Sequence, residues 1–171
     1  PEGTCGLYLG GGYPELHARA LSENRPMGEA VRRAVLGGMP TLAECGGFLY
    51  LQNTLEDGEG TPWPMAGVLD GAGFKTPKLQ RFGYVTLTAQ EDSPYLKQGE
   101  TVAAHEFHRW DCSRNGELCR AQRPSGGEGW NCMVEQGNLL AGFPHLYFPS
   151  NPQFAARFVA ACRQYQERNA L

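Results

Sequence analysis

The 171-residue chain carries 15 lysines and arginines against 18 aspartates and glutamates, a formal net charge of −3, with 41% hydrophobic and 19% charged residues. This is the composition of an ordinary globular domain large enough to bury a core. A mildly acidic chain offers no electrostatic footprint for nucleic acid or an anionic membrane, and no apolar run approaches the length of a bilayer span. No basic-then-apolar leader is recognisable, so the cytoplasm is the expected compartment.

Gly6 to Leu9 reads as a buried strand that runs straight into Gly10-Gly-Gly-Tyr-Pro-Glu15. Glycines at the carboxyl end of a strand permit a tight turn and present amide hydrogens, where ligands gather in open α/β sheets. A helix is predicted over Glu15 to Ser22. A second helix opens near Pro26, places Met27, Ala30, Val31, Ala34 and Val35 at helical spacing, and stops at Gly37-Gly38. Pro40 to Glu44 is the next strand, followed after Cys45-Gly-Gly47 by a helix over Phe48 to Gln52. Strand, helix, strand, helix implies a parallel sheet with right-handed crossovers.

From Glu56 to Pro64 the residues are loop-like, with Gly58, Gly60, Pro62 and Pro64 interrupting any period. Beyond them, Phe82 to Ala89, Thr101 to Arg109, Asn131 to Glu135 and Leu139 to Gly142 are predicted strands. Gln153 to Glu167 returns to a helix whose Phe154 and Phe158 face a core. No repeat or inter-domain linker is visible. The fold class expected is therefore α/β, a mainly parallel open sheet flanked by helices.

Cys45 is the most informative residue. A short apolar run stops at it and two glycines follow, which is how a strand-to-helix turn mounts a nucleophile and leaves room for substrate and backbone to approach. The rival reading is a small buried cysteine. The other cysteines, at 5, 112, 119, 132 and 162, are expected to be reduced thiols; none forms a CxxC pair or lies at finger-like spacing from a histidine, so no metal site is expected.

A cysteine nucleophile needs a base. His17 reads as a solvated helix residue. His105 and His108 are three apart, suited to a bend or loop rather than one strand face. His145 follows a short strand and precedes the last helix, where a hydrolase-like order places its base. Position favours His145, with the His105/His108 pair as the alternative. Glu44 is either a strand-end carboxylate or a pocket group, and Glu15 either a first-turn helix charge or a pocket group.

Leu9-Gly-Gly-Gly-Tyr-Pro-Glu15, Ala43-Glu-Cys-Gly-Gly47, Arg81-Phe-Gly-Tyr84, His105-Glu-Phe-His108 and His145-Leu-Tyr-Phe148 with Ser150-Asn-Pro152 occur in one order. This combination resembles the class I, triad-type glutamine amidotransferase domain of cobyrinic acid a,c-diamide synthase, over about residues 3 to 165. The resemblance implies a flavodoxin-like fold and glutamine hydrolysis through a Cys45 thioester with His145 as acid and base. It also implies glutamine and oxyanion contacts from Gly10, Gly11, Gly12 and Gly46, with Glu15, Glu44, His105 and His108 near the site. The ammonia would serve ATP-dependent amidation of the a and c carboxylates of cobyrinic acid, in cobalamin biosynthesis.

Two departures stand out. The position two residues after the histidine, often glutamate in triad enzymes, is Tyr147, so the group orienting His145 has no sequence candidate. The residue after His-Glu-Phe-His, commonly aromatic in the family, is Arg109. No GxxxxGK[ST] loop is present. Residues 1–171 are accordingly read as an N-terminally truncated glutaminase domain, a C-terminal portion of a longer synthetase whose other part binds ATP, magnesium and the corrinoid. The domain itself is expected to need no cofactor. A catalytically silent interaction domain and another cysteine hydrolase on the same fold, such as a peptidase, are the alternative readings.

Overall fold

The computed structural model describes residues 3–169; the terminal positions of the 1–171 domain, Pro1, Glu2, Ala170 and Leu171, lie outside the described residues. The first half is built as the glycine and apolar pattern predicts. Strand β1 (Leu7–Leu9) enters the glycine turn, a 3-10 turn (Pro14–Leu16) follows, and helices α1 (Ala18–Glu23) and α2 (Arg25–Leu36) lead to β2 (Thr41–Glu44) and α3 (Gly46–Tyr50). The predicted helix over Glu15 to Ser22 is thus split, because Pro14 sets the tight turn and His17 caps the next helix at φ −127°.

The hub is a four-stranded sheet in the order β1, β2, β12 (Leu139–Gly142), β11 (Val134–Gln136). Strands β1, β2 and β12 are parallel, and only β11 runs opposite. All four residues of β2 and of β12 are buried, so the middle of this sheet is covered on both faces, as parallel sheets require. Leu49, Leu51, Val35 and Phe143 belong to the core on one side; Leu42, Leu140 and Phe154 belong to a second core on the other. Phe154 comes from the last helix, α4 (Pro152–Asn169).

Two further sheets occupy the second half. The larger is antiparallel, in the order β10 (Trp130–Cys132), β9 (Cys119–Gln122), β6 (Arg81–Ala89), β7 (Thr101–His108), β13 (His145–Leu146). The smaller joins β4 (Pro62–Pro64), β3 (Thr54–Glu56), β5 (Ala72–Lys75) and β8 (Trp110–Cys112). The parallel order therefore holds for the hub, while most of the remaining pairings are antiparallel.

Several expectations are corrected here. The stretch from Glu56 to Pro64 is not all loop: β3 and β4 pair across a turn in which Asp57 accepts from the Glu59 and Thr61 amides and the Trp63 indole. Two prolines fit because β4 is an edge strand with amides to spare. The strand expected over Asn131 to Glu135 breaks at Met133, which adopts φ 66° and divides β10 from β11. His105 and His108 do not occupy a bend or loop. Both lie on β7, and three residues of strand put them on opposite faces.

Candidate active site

The site is built where neighbouring parallel strands end. Cys45 is the residue after β2, and His145 comes three residues after β12 ends at Gly142. The two strand ends are tied together, since the Cys45 amide donates to the Gly142 carbonyl at 2.8 Å. Open α/β sheets place ligands at such carboxyl ends.

Cys45 itself adopts φ 48° and ψ −104°, a conformation that non-glycine residues rarely hold. Three features hold it there. The buried strand precedes it, the Gly142 bond fixes its amide, and α3 begins at once with Gly46 and Gly47. Neither glycine could carry a side chain. A Cβ on Gly47 would sit 2.2 Å from the Leu9 carbonyl oxygen, and one on Gly46 2.8 Å from that of Gly12. The Gly47 amide also donates to the Gly10 carbonyl at 3.1 Å. The cysteine turn and the Gly10–Gly12 turn, 33 residues apart in sequence at their nearest, are therefore one interlocked unit.

His145 is aimed by a second element. It begins β13 and pairs in register with His105 of β7, so the antiparallel sheet fixes its backbone. The histidine expected between a short strand and the last helix thus sits on a short strand of its own. Its Nδ1 lies 3.5 Å from Glu44 Oε2, and Cys45 is the ring's other polar neighbour. These two partners, Cys45 first, hold the imidazole up to about 10, against a smaller opposing effect of burial. A Cβ on Gly11 would touch the ring's Cε1 at 2.5 Å, which shows how closely the glycine turn covers it.

Glu44, read from the sequence as either a strand-end carboxylate or a pocket group, lies behind His145. It is 2% exposed at the end of a strand that is otherwise apolar or threonine. Its Oε2 accepts the Tyr8 hydroxyl at 2.9 Å and its Oε1 the Leu146 amide at 3.1 Å, leaving the carboxylate facing His145. Burial, then the hydrogen bond to Glu44, pushes the Tyr8 phenol up to about 12. The orienting group absent two residues after the histidine is supplied from one residue before the cysteine. Tyr147, at the conventional position, is 61% exposed. The available signal was a charged residue inside a buried strand.

Above Cys45 lies a cavity of about 200 Å³ lined by Gly12, Glu15, Leu49, Phe107 and Arg109 among others. Of the remaining predicted residues, Glu15 is buried in this wall. His108 reaches it too, but is stacked on Phe143 at 3.8 Å with Nδ1 2.6 Å from the Trp110 carbonyl, which fixes it as part of the framework. His105 packs edge-on against Tyr84 and Phe82. Gly10, Gly11 and Gly12 are exposed beside the cysteine turn. All six cysteines are free, and burial pushes the Cys112 and Cys119 thiols up to about 12.

A strained cysteine between a strand and a helix, with an imidazole and a buried carboxylate behind it, defines the class: an α/β protein with a cysteine–histidine–carboxylate constellation. Solved structures place the fold more closely. A glutamine amidotransferase structure aligns with a TM-score of 0.63 at 20% identity, covering 95% of this chain and 81% of that one. The PurLQS structure from Thermotoga maritima aligns at 0.56 and 17% identity, covering 93% and 79%. The family model for the CobB/CobQ-like glutamine amidotransferase domain matches residues 2–153, and the chain belongs to that family.

The cobyrinate a,c-diamide synthase of Caldanaerobacter subterraneus subsp. tengcongensis is 41% identical over 167 residues, 96% of this chain and 37% of that protein. The hydrogenobyrinate a,c-diamide synthase of Pseudomonas aeruginosa is 40% identical over 159 residues, 92% of this chain and 34% of that protein. The chain thus spans about a third of the length of the curated relatives it matches. Among the described residues no helix is long and apolar enough to cross a membrane.

Proposed function

We propose that this chain is the glutamine-hydrolysing domain of an ATP-dependent synthase that amidates the a and c carboxylates of a cobyrinate-type macrocycle. The single observation that carries the hydrolytic part is Cys45, held at φ 48° under the cavity with His145 beside it. The relatives' names support the choice of macrocycle, and the length they have beyond this chain supports a synthetase part. That part would bind ATP, magnesium and the corrinoid, in the cytoplasm.

In this reading the Cys45 sulfur attacks the side-chain carboxamide carbon of glutamine as a thiolate. The C–S bond forms while the carbonyl π pair moves to oxygen, where the amides of Gly46 and of the Gly10–Gly12 turn receive the charge. One such donor is worth roughly 3 to 4 kcal/mol in other enzymes. Collapse of the tetrahedral adduct breaks the C–N bond, and the leaving nitrogen takes its proton from the His145 imidazolium and departs as ammonia. His145, now neutral, draws a proton from water as the water attacks the thioester, and glutamate leaves with Cys45 regenerated. Glu44 keeps the imidazole oriented and compensates its charge.

The test is glutamate release from glutamine by the chain, with Cys45→Ser and His145→Ala as controls. Turnover should fall by about 10³-fold or more in either variant. Equal release by wild type and Cys45→Ser would sink the hydrolytic reading and favour a silent interaction domain.

A further inference from the structure

Strand β1 sends one polar side chain toward the carboxylate behind His145. Tyr8 stands opposite Leu42 of β2 in the parallel register, and its hydroxyl reaches Glu44, two residues further along, where it donates to Oε2 at 2.9 Å. The same oxygen lies 3.5 Å from His145 Nδ1, while Oε1 accepts the Leu146 amide at 3.1 Å. The two oxygens of Glu44 therefore have different tasks. Oε1 is anchored to backbone, so the carboxylate keeps its orientation with or without the phenol. Oε2 is shared, and a carboxylate oxygen that already accepts one hydrogen bond attracts a second proton donor less. Burial and the bond to Glu44 hold the phenol up to about 12, above the value of about 10 at which His145 titrates, so Tyr8 remains a donor while the ring changes charge. The other titratable groups around the ring are Cys45, on the turn after β2, and His105, its cross-strand neighbour on β7, whose own ring packs against Tyr84 and Phe82.

In the proposed reaction His145 is needed in both charge states. It gives a proton to the leaving nitrogen and then, neutral, takes one from water. Once Cys45 is bonded to the glutamyl carbon, its sulfur no longer carries the charge that is the first cause of the raised His145 value, and Glu44, the second, is left to act on the ring. We infer that Tyr8 is a positioning residue that acts through Glu44: by occupying Oε2 it weakens the carboxylate's hold on the His145 proton, and so lets the ring turn neutral for thioester hydrolysis. The inference rests on the glutaminase reading and adds a fourth residue to it. Tyr8 is not among the residues lining the cavity above Cys45, so its effect falls on proton transfer and not on glutamine binding. Its ring is 53% exposed and stands edge-on to Phe148 at 6.0 Å, a contact that phenylalanine would keep.

The experiment follows the His145 ring by NMR through its titration in the wild type, Tyr8→Phe, Glu44→Gln and the double variant. Tyr8→Phe should raise the midpoint by about half a unit to one unit. In the Glu44→Gln background the same substitution should leave the midpoint where it is, since the phenol then has no carboxylate to share. Rapid quench with mass spectrometry of the chain gives the second readout. Hydrolysis of the Cys45 thioester formed from glutamine should slow about three- to ten-fold in Tyr8→Phe on the acid side of its pH profile, while thioester formation keeps its rate. A midpoint that falls or stays put in Tyr8→Phe overturns the inference and leaves the phenol an anchor only, and so does an equal rise with Glu44 already neutralised. Should Glu44→Gln lose its fold, as reported by circular dichroism, the half-exposed Tyr8 position decides the matter alone. The glutaminase reading is tested apart from this, by alkylation of Cys45 with the diazo ketone 6-diazo-5-oxo-L-norleucine beside iodoacetamide. If Cys45 takes iodoacetamide and refuses the diazo ketone, that reading falls and the inference with it. If Cys45 takes both and the midpoint is unmoved in Tyr8→Phe, the reading stands and Tyr8 alone is removed from it.

Discussion

At the scale of single residues, the constellation depends on a carboxylate that precedes the nucleophile in the chain. Glu44 and Cys45 are adjacent, yet the turn at Cys45 lets both address one imidazole. Cys45 is the larger cause of the raised His145 pKa and Glu44 the second. Cys45→Ser should therefore lower the ring's titration midpoint more than Glu44→Gln does, as followed by NMR of the His145 ring. A midpoint unmoved by Cys45→Ser would remove the sulfur as its partner. The linkage has a definite sign. The folded value near 10 lies above an unfolded value of about 6.5, so the stability contributed by the charged ring is complete below about pH 6.5 and is lost as pH rises through about 10. Denaturant midpoints should show that alkaline loss in the wild type and less of it in His145→Gln. Cys45 and His145 were legible from a glycine-flanked cysteine and a late histidine. Glu44 was not assignable, because its partner is 101 residues away in sequence.

Between elements, the close approach of β1's end to α3 is made of backbone. The Leu9 carbonyl lies where a Gly47 side chain would begin. Gly47→Ala should therefore force β1 and the Gly10–Gly12 turn away from α3, a cost of about 1–3 kcal/mol from overpacking. The urea midpoint would fall, and reactivity of Cys45 toward the diazo ketone would fall with it. A variant as stable and reactive as the wild type would mean the two turns are not rigidly joined. In the hub, β1, β2, β12 and α2 were readable because glycine or proline flanks each of them, whereas β11 and the first helix were misread at Met133 and Pro14. Strands β3, β4, β5, β8 and β9 went unread because they are three or four residues long, and β5, β8 and β9 also depend on partners far away in sequence. His105 and His108 were misplaced for a related reason: three-residue spacing excludes a shared strand face but not a strand.

For the molecule as a whole, the last helix is clamped back onto the antiparallel sheet by one bidentate pair. Arg157 donates to both Glu100 oxygens, at 2.5 and 2.8 Å, and also to the Tyr95 carbonyl at 3.2 Å. The guanidinium holds the Glu100 carboxyl down to about 2, from an ordinary 4.5. A depressed value gives stability that is present above about pH 4.5 and lost as pH falls through about 2. The difference in urea midpoint between wild type and Glu100→Gln should thus be largest near neutrality and vanish toward pH 2; a difference independent of pH would assign the effect to packing alone. Such a pairing, across 57 residues of sequence, has no local pattern from which it could have been read. The interlocked glycine turns carry one more implication, for how members of this fold can diverge. The floor of the pocket is main chain packed on main chain, so natural variation or engineering has almost no side chains there to exchange. The rim, at Phe107, Arg109 and Trp110, consists of side chains from β7, β8 and the corner between them, outside the hub sheet. New substrate preferences should therefore arise at the rim while the floor stays constant.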